Sequence, residues 1–463
     1  MTDTIESEVL VVGGGPAGAA CALTLARLER SVVLCEAVSF PRDHIGVCLS
    51  PGVIHQLEFL GLADVLLDPA HRPDVPIERR WESNTFVAAS STAIIADRGR
   101  LDSDLLAAAA DCGVRVLQPG RIGHLTRQAE GWTTDVAVPS GMRRIRAAIV
   151  VDARGRSSAN FARRRLGAPT VALHGHWRGD APAVVRIGAA QGSWSWAAPI
   201  REHRHLAIAF TSPRTLRRLG GSLGERYRRL LDEAGVLRLG LELDAEPRVC
   251  DATPYVGDDN EPGYLRIGDA SAALDPLSSS GVQAAIQSGL CAGPVVNTLL
   301  TRGAEAAAAI EYWKNRRSAR TAIHHTWSTK RYAEVFGIHN SDFWAVRAAA
   351  DAAHGALPGA RAPLPKAPLP SPDQMLRLSD KVEFVRTPCL LRGLVVRAVS
   401  LLHPNLGEPV AFIEDVPVHS VLAVLSTHAT AAELFSSWKS VFSLDKALRL
   451  LGWLWRNEIA VAC

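Results

Sequence analysis

Short apolar runs alternate with helical patterns at the start of the chain, as an α/β fold requires. Glu8–Val12 is almost wholly apolar and leads directly into a glycine-rich turn, and Ser31–Glu36 is a second run of the same kind. Strands that are buried on both faces of a parallel sheet have this composition. We therefore predict a strand over Glu8–Val12, a helix that ends near Arg27, and a second buried strand over Ser31–Glu36.

The turn after the first strand has the sequence Gly13-Gly14-Gly15-Pro16-Ala17-Gly18. In a dinucleotide-binding turn, Gly13 permits the tight bend, Gly15 lets a pyrophosphate approach the backbone, and Gly18 lets the helix pack on the strand. The helix would point free N–H groups and a partial positive charge at the phosphates. Glu36 ends the second strand at the distance where a ribose hydroxyl is usually bound. These features predict dinucleotide binding; the alternative is an ordinary glycine-rich turn.

Later patterns predict a second sheet and further helices. After a helix through Leu60, we expect a hairpin over Ile77–Ile95, a helix from Arg98 to Cys112, and a small meander with strands at Val114–Leu117, Trp132–Val138 and Arg144–Val151. A mixed pattern follows and predicts a substrate-binding sheet with strands at Ala183–Gly188, Gly192–Pro199 and His205–Thr211 and an arginine-rich helix over Leu216–Ala234. Trp194 and Trp196 would share one face of their strand, as a pocket wall or as core.

Two further signals precede the C-terminal region. A third buried strand ends in Gly268-Asp269, and a long helix begins near Gly281. Helices continue from Ala304 to about Ala353, and we predict that their basic residues lie on a solvated face: Arg316, Arg317, Arg320, Lys330 and Arg331.

Residues 354–373 are rich in proline and predict a semi-rigid linker. Beyond it, residues 374–463 predict a small domain with strands at Val382–Val385 and Val410–Ile413 and helices at Ala431–Val441 and Leu444–Asn457. Thr430 and Glu433 have the spacing of a capping box for the first of these helices. Because this region carries no catalytic constellation, we expect it to bind a macromolecular partner.

Composition excludes several classes of function. The net charge of +4 argues against nucleic acid as the main partner. The eight cysteines have neither a C-x-x-C pair nor metal-ligand spacing, which predicts reduced thiols and a cytoplasmic location. The N-terminus does not resemble a signal peptide, and no apolar run is long enough to predict a membrane span. Two His-x-His pairs, at 174–176 and 203–205, lack a third ligand in sequence, so no metal site is predicted.

Four separated motifs together resemble the flavoprotein monooxygenases of the para-hydroxybenzoate hydroxylase fold. They are Gly13–Gly18 with Glu36, Arg98-x-x-Leu101-Asp102, Asp152-Ala153-Arg154-Gly155, and Gly268-Asp269. The resemblance implies FAD as the cofactor and an α/β fold. That fold has a Rossmann-like FAD-binding domain over residues 1–353, an inserted mixed β-sheet substrate domain at about 77–95 and 166–260, and a small C-terminal α+β domain that resembles a winged helix.

Further motifs resemble the flavin-dependent halogenase branch: Phe40-Pro41-Arg42-x-His44-Ile45-Gly46, Trp194-x-Trp196-x-Ala198-Pro199, and Leu274 to Val282. Halogenases of this branch depend on a lysine within roughly the first hundred residues to handle hypohalous acid. Here the first lysine is Lys314, and Val47-Cys48 replaces the usual Glu-Ser. Without that lysine, a flavin C4a-hydroperoxide would hydroxylate an electron-rich ring directly.

Among such chains, this one resembles the flavoprotein monooxygenases of tryptophylquinone cofactor biogenesis, in particular those of quinohemoprotein amine dehydrogenase maturation. This implies hydroxylation or dihydroxylation of a tryptophan in a precursor polypeptide. Oxygen and an electron donor, NAD(P)H or reduced flavin, would be co-substrates, and a complex with another maturation enzyme is compatible with this hypothesis. The alternatives are a halogenase of a small aromatic or carrier-bound substrate, a prenyl reductase, and a non-enzymatic flavin-binding assembly factor.

The resemblance also implies the residues that bind the cofactor. They are Gly13, Gly15, Pro16, Ala17, Gly18, Glu36, Arg42, Ile45, Gly46, Arg98, Asp152, Gly268, Asp269, Pro276, Ser280, Gly281 and Val282. The catalytic acid or base is not evident from the sequence. His44, Cys48 and Trp196 are the weak candidates, and for Cys48 an inert buried thiol is the main alternative.

Overall fold

A computed structural model describes residues 4–42, 44–45, 47–158, 162–237, 240–257, 261–349, 368–413, 416–423, 429–439 and 442–463. The chain forms two compact units. One contains residues 1–301 and 316–355, and the other contains residues 302–315 and 356–463.

The first unit is built from two large sheets and the helices around them. Its strands are β1 (Thr4–Val12), β2 (Val32–Cys35), β3 (Cys48–Leu49), β4 (Arg72–Arg80), β5 (Val87–Ile95), β6 (Arg115–Leu117), β7 (Arg121–Ile122), β8 (Thr126–Gln128), β9 (Gly131–Val138), β10 (Gly141–Asp152), β11 (Arg163–Arg165), β12 (Val171–Arg178), β13 (Val185–Ala190), β14 (Ser193–Arg201), β15 (Arg204–Thr211), β16 (Glu242–Leu243), β17 (Arg248–Asp251), β18 (Tyr255–Gly257), β19 (Tyr264–Arg266) and β20 (Ala272–Ala273). The helices up to residue 349 are α1 (Pro16–Arg27), α2 (Gly52–Phe59), α3 (Arg98–Asp111), α4 (Pro213–Arg218), α5 (Leu223–Ala234), α6 (Gly281–Thr301), α7 (Ala306–His339) and α8 (Asp342–Ala348).

The first sheet has the order β6-β2-β1-β10-β9-β7, with β19 also paired to β10 and β8 to β9. The pairs among β6, β2, β1, β10 and β19 are parallel. In register, Val12 pairs with Cys35 on one side and with Asp152 on the other, and Asp152 pairs with Arg266. Four parallel strands therefore end at one edge, which is where open α/β sheets bind ligands.

The second sheet has the order β16-β12-β15-β14-β13-β4-β5-β3, with β17 paired to β12. The hairpin β4–β5 joins it through a parallel pair between β4 and β13. One face packs on a core that contains Trp81, Trp194 and Trp344, while the other packs on α5 through Trp177 and Tyr227. The hairpin and the later strands thus build one sheet from separate parts of the chain.

The second unit carries the C-terminal elements. They are β21 (Met375–Leu378), β22 (Glu383–Leu391), β23 (Leu394–Leu402), β24 (Phe412–Ile413), β25 (Val416–Pro417), α9 (Val418–Leu422), β26 (Ala429–Thr430), α10 (Ala431–Lys439), α11 (Leu444–Arg456) and β27 (Ala460–Ala462). The predicted capping box forms: the Thr430 N–H donates to Glu433 at 2.8 Å, and the Glu433 N–H donates to Thr430 Oγ1 at 3.2 Å. Most of the predicted linker lies outside the described residues.

Four sequence predictions about elements were wrong or incomplete. The predicted meander forms only in part: β9 and β10 pair antiparallel as predicted, but β6 pairs with β2 and β10 also lies beside β1 in the main sheet. The helix over Leu216–Ala234 is two helices, because Gly221 has φ +93° and Ser222 starts a new capping box. The strand at Val382–Val385 is the start of a longer hairpin, β22–β23. His203 lies in a turn with φ +53° and not on a strand face.

The prediction of a solvated basic face on α7 was also only partly right. Arg316 and Lys330 are exposed, but the side chain of Arg317 is buried and that of Arg320 is half-buried. Over the described ranges, no helix is both long and apolar enough to cross a membrane.

Candidate functional site

The glycine-rich turn is shaped by close backbone contacts between β1, α1 and the end of β10. Gly13 has φ +108°, and a Cβ there would lie 2.5 Å from the carbonyl oxygen of Ala153. A Cβ on Gly18 would lie 1.9 Å from the carbonyl oxygen of Gly13. Neither position can take a side chain without moving backbone, so both glycines are required by the packing of the turn.

Glu36 holds this turn to the loop that follows β2. Its Oε2 accepts from the Gly14 N–H at 2.7 Å, and its Oε1 accepts from the Val38 N–H at 3.0 Å. Arg42 Nη1 lies 3.4 Å from Oε1. The residue is only 5% exposed, and both carboxylate oxygens accept hydrogen bonds from the protein.

Arg42 and Arg98 converge on Asp102, which is fully buried at the start of α3. Arg98 makes a two-pronged pair with Asp102, with Nε and Nη2 at 3.0 and 3.1 Å from its two oxygens. Arg98 Nη1 also donates to the carbonyl oxygen of Ile45 at 3.2 Å. Arg42 Nη2 lies 3.5 Å from Asp102. These contacts anchor the loop after β2 to α3 at the edge where the parallel strands end.

Asp152, at the end of β10, is hydrogen-bonded to several neighbouring side chains. Its carboxylate accepts five hydrogen bonds: three from the N–H, Nε and Nη2 of Arg154, one from Ser158 Oγ and one from Tyr264 Oη. The guanidinium of Arg154 and the two hydroxyls lower the pKa of Asp152 although its burial acts in the opposite direction. The carboxylate thus fixes the Ala153–Ser158 loop, while the backbone of that loop faces the glycine-rich turn.

Gly268 and Asp269 lie in a short turn after β19, next to α1 and α6. Gly268 has φ +57°, and its N–H donates to Ser288 Oγ at 2.8 Å. A Cβ on Gly268 would lie 2.8 Å from that of Ala17. The side chain of Asp269 is 40% exposed and lies 3.6 Å from Arg156 Nε. The motif therefore brings an accessible carboxylate to the same edge as the glycine-rich turn.

A second turn, Pro276–Ser278, leads into α6. The Asp275 side chain caps it by accepting from the Leu277 N–H at 3.0 Å, and Ser279 follows with φ +52°. We call residues 275–281 the α6 entry loop. Val282 is buried, whereas a Cβ on Gly281 would meet nothing within 4 Å, so the start of α6 opens onto free space.

One face of α7 contacts this entry loop and the first turn of α6, and sequence reasoning missed these contacts. Arg320 donates to the carbonyl oxygen of Ala284 at 3.2 Å, His324 Nε2 lies 3.0 Å from that of Asp275, and the Tyr332 hydroxyl donates to Asp275 Oδ1 at 2.8 Å. The three side chains recur at helical spacing on one face. The sequence analysis assigned Arg320 to a solvated face with the neighbouring basic residues and made no prediction for His324 or Tyr332.

The three weak catalytic candidates do not converge. His44 is exposed, and its Nδ1 lies 2.5 Å from the carbonyl oxygen of Ile45. Cys48 is half-buried in β3, and burial raises the pKa of its thiol, which favours the inert-thiol alternative. Trp196 is buried in the core of the second sheet, as is Trp194, which stacks on Phe210 with ring centroids 4.0 Å apart. Gly46 lies outside the described residues.

The edge of the first sheet has the features that a dinucleotide needs. No side chain caps the N-terminus of α1, and a Cβ on Gly15 would meet only Arg42 Nη2, at 3.5 Å. Arg42 Nε is buried and has no hydrogen-bond partner among the described residues. Free N–H groups, an open approach to the backbone and an unpaired guanidinium N–H suit phosphate groups. The residues present therefore fit a bound flavin dinucleotide.

Comparisons with known proteins identify the cofactor and the fold. Residues 6–183 match the family model of an FAD binding domain. The chain therefore carries an FAD-binding domain, its cofactor is FAD, and its fold is that of the FAD-dependent monooxygenases and halogenases.

Two of the relatives found by sequence similarity are halogenases. The chain is 26% identical over 339 residues to a tryptophan 2-halogenase of Chondromyces crocatus, covering 67% of this chain and 64% of that protein. It is 27% identical to the flavin-dependent halogenase armH4 of Armillaria mellea, covering 64% of this chain and 66% of that one. The chain thus spans slightly less than two thirds of the length of these two relatives.

A solved structure of similar fold covers nearly the whole chain. It is the peptidyl tryptophan dihydroxylase QhpG, which is essential for tryptophylquinone cofactor biogenesis. The TM-score is 0.73 at 23% identity, covering 98% of this chain and 99% of that one. The brominase Bmp2 gives a TM-score of 0.60 and covers 72% of this chain.

Proposed function

We propose that this protein is an FAD-dependent aromatic monooxygenase that hydroxylates, once or twice, a tryptophan residue of a precursor polypeptide during tryptophylquinone biogenesis. The observation that carries the proposal is the similarity in fold to a peptidyl tryptophan dihydroxylase over 98% of this chain. Coverage alone does not separate this activity from halogenation, because the flavin-dependent halogenase CmlS also matches 99% of this chain, with a TM-score of 0.70 at 17% identity.

The residues around the proposed flavin site have separate roles. The glycine-rich turn and the start of α1 bind the pyrophosphate, and Arg42 neutralises its charge with the unpaired Nε. Glu36 binds the ribose of the adenosine half, and Asp269 binds the ribityl chain. Asp152 acts through the loop it fixes, because its own oxygens are occupied. When bound and reduced, FAD supplies the activation of dioxygen.

A specific observation separates this proposal from halogenation. The first lysine of the chain is Lys314, so the early part of the chain lacks the side chain by which the resembled halogenases handle hypohalous acid. A bound electron-rich ring would then react with activated oxygen directly. The halogenase relatives keep halogenation as the second candidate.

We further propose dioxygen and either NAD(P)H or reduced flavin as co-substrates, and the cytoplasm as the place of action. All eight cysteines are free, as expected in a reducing compartment. A complex with another maturation enzyme is compatible with the C-terminal unit.

The test supplies the FAD-loaded protein with a reductant, oxygen and a tryptophan-containing precursor polypeptide, in parallel with free tryptophan, with and without chloride. Product masses are measured. Oxygen added to the polypeptide, independently of chloride, supports the proposal. Chlorine incorporation, or activity on free tryptophan alone, overturns it.

A further inference from the structure

Two hydroxyls and an imidazole form a continuous hydrogen-bonded chain behind the α6 entry loop. Ser280 Oγ lies 2.5 Å from Ser278 Oγ, and Ser278 Oγ lies 3.4 Å from His324 Nδ1. His324 Nε2 lies 3.0 Å from the carbonyl oxygen of Asp275. Because a carbonyl oxygen can only accept, Nε2 carries the proton and Nδ1 accepts from Ser278. In this state the hydroxyl donors point from Ser280 toward His324.

His324 also lines a small cavity whose walls include Asp275 of the entry loop. The cavity has a volume of about 20 Å³, which is enough for about one water molecule. Its walls include Asp275, Ser328, Tyr332 and Arg347, so a water there would find several polar partners. His324 is therefore shared between the serine chain and the cavity.

We propose that Ser280, Ser278 and His324 form a proton path that connects the flavin side of the entry loop with this cavity and delivers protons consumed by the oxygenation. This inference rests on the proposed function, because that function puts the entry loop against the flavin. Hydroxylation of a ring C–H by dioxygen consumes two electrons from the reduced flavin and two protons, and yields one hydroxylated product and one water. With both ring nitrogens protonated, His324 donates the Nδ1 proton to Ser278 Oγ while Ser278 passes its own proton to Ser280, so the hydroxyl donors reverse direction. The neutral imidazole keeps Nε2–H on the Asp275 carbonyl, and a solvent proton entering through the cavity water reprotonates Nδ1 once the Ser278 hydroxyl has turned away.

The charged and titratable surroundings of His324 come from three elements, the entry loop, α7 and α8. Asp275 on the entry loop favours the protonated imidazole, whereas Arg320 and His325 on α7 oppose it, and Tyr332 and Arg347 line the same cavity. Burial is the largest effect and lowers the pKa of His324 from its usual value. The protonated form is thus lost as pH rises through a value below the ordinary histidine range, so proton delivery by His324 declines with rising pH.

The first test needs no turnover. Nitrogen NMR of histidine-labelled protein, without FAD and with FAD bound, reports the tautomer and titration of His324, assigned by loss of its signal in His324→Gln. The proposal predicts the Nε2–H tautomer at neutral pH and a titration that shifts in Ser278→Ala. A signal from the Nδ1–H tautomer, or no change in Ser278→Ala, overturns it.

The second test compares variants loaded with FAD. His324→Gln and Ser278→Ala should bind FAD as the wild type does, while product formation near neutral pH falls at least about tenfold and hydrogen peroxide release rises. In the wild type, product formation should decline as pH rises, and both variants should lack this decline. His339→Gln, a histidine on the same helix that does not contact the entry loop, is the matched control and should keep the wild-type profile.

The outcomes separate this inference from the proposed function. If the wild type forms hydroxylated polypeptide and both variants keep its pH profile, the proton path is wrong and the proposed function stands. If His324→Gln loses activity but Ser278→Ala does not, His324 only supports the loop and the path is also wrong. If the wild type forms no hydroxylated product, the proposed function fails, whereas the NMR result still decides whether the chain exists.

Discussion

Replacing Asp152 with asparagine keeps the shape of the side chain and removes its charge. In the wild type, Arg154 donates to both carboxylate oxygens at 2.8–3.1 Å, so either orientation of the amide turns an NH₂ group toward a guanidinium N–H. The carboxylate is fully buried, whereas the side chain of Arg154 is 30% exposed. Breaking a buried pair from one side costs roughly 3–5 kcal/mol. Because Arg154 can turn toward water, we expect a smaller cost for Asp152→Asn, a decrease of about 2–3 kcal/mol in the free energy of unfolding.

The loss is measured by denaturant unfolding of the FAD-free protein, followed by far-UV circular dichroism. Asp135→Asn is the matched control. It breaks an ion pair with Arg144 on the same sheet, but both side chains are more than 40% exposed, so its midpoint should stay at the wild-type value. An Asp152→Asn midpoint equal to that of Asp135→Asn would refute the reasoning.

The same variant gives a pH dependence with a definite sign. The folded-state pKa of Asp152 lies below its usual value, so the carboxylate stabilises the fold at pH values above the ordinary aspartate pKa. That contribution is lost as pH falls through the folded-state pKa. The difference in unfolding free energy between the wild type and Asp152→Asn should therefore be constant near neutral pH and shrink in acid. A difference that grows in acid contradicts the assignment.

Three further predictions concern other positions. Gly18→Ala should destabilise the protein and weaken FAD binding at least tenfold in a fluorescence titration, because its Cβ would lie 1.9 Å from a backbone oxygen; wild-type affinity would contradict this. Glu36→Gln should weaken FAD binding and lower the unfolding midpoint, since the buried amide keeps the size but loses a charge-assisted acceptor for the Gly14 N–H; an unchanged dissociation constant would refute the role. Thr430→Ala should cost about 1 kcal/mol in thermal unfolding of the second unit, as N-cap losses do, whereas Ser436→Ala, exposed within the same helix, should have no such effect.

Local patterns predicted the elements around the flavin site well. Helices α1 and α3 and strand β9 lie close to their predicted bounds, and β1 ends at the predicted residue but begins four residues earlier, because apolar runs, glycine turns and N-terminal caps act over a few residues. The capping box at Thr430 was confirmed for the same reason. The FAD cofactor followed from four separated motifs, which the parallel register of β1, β2, β10 and β19 brings to one edge.

Long-range pairing and burial were the parts that the sequence could not supply. The position of β10 beside β1 depends on contacts between strands more than a hundred residues apart. The polar stripe on α7 has the spacing of a solvated face, and only the tertiary structure puts the α6 entry loop against it. The catalytic candidates do not lie close together in the structure. His44 lies in a loop and Trp196 in a strand, and such local assignments do not predict which side chains face the same cavity.

The central claim is that oxygen from O₂ is inserted into a tryptophan side chain of a polypeptide. It is tested most directly by single-turnover reaction of the reduced, FAD-loaded protein with ¹⁸O-labelled dioxygen and the precursor polypeptide, followed by peptide fragmentation in a mass spectrometer. We predict ¹⁸O on one tryptophan residue, in equal amount with and without chloride. Labelled hydrogen peroxide with an unmodified polypeptide, or a chlorinated ring when chloride is present, would contradict the account.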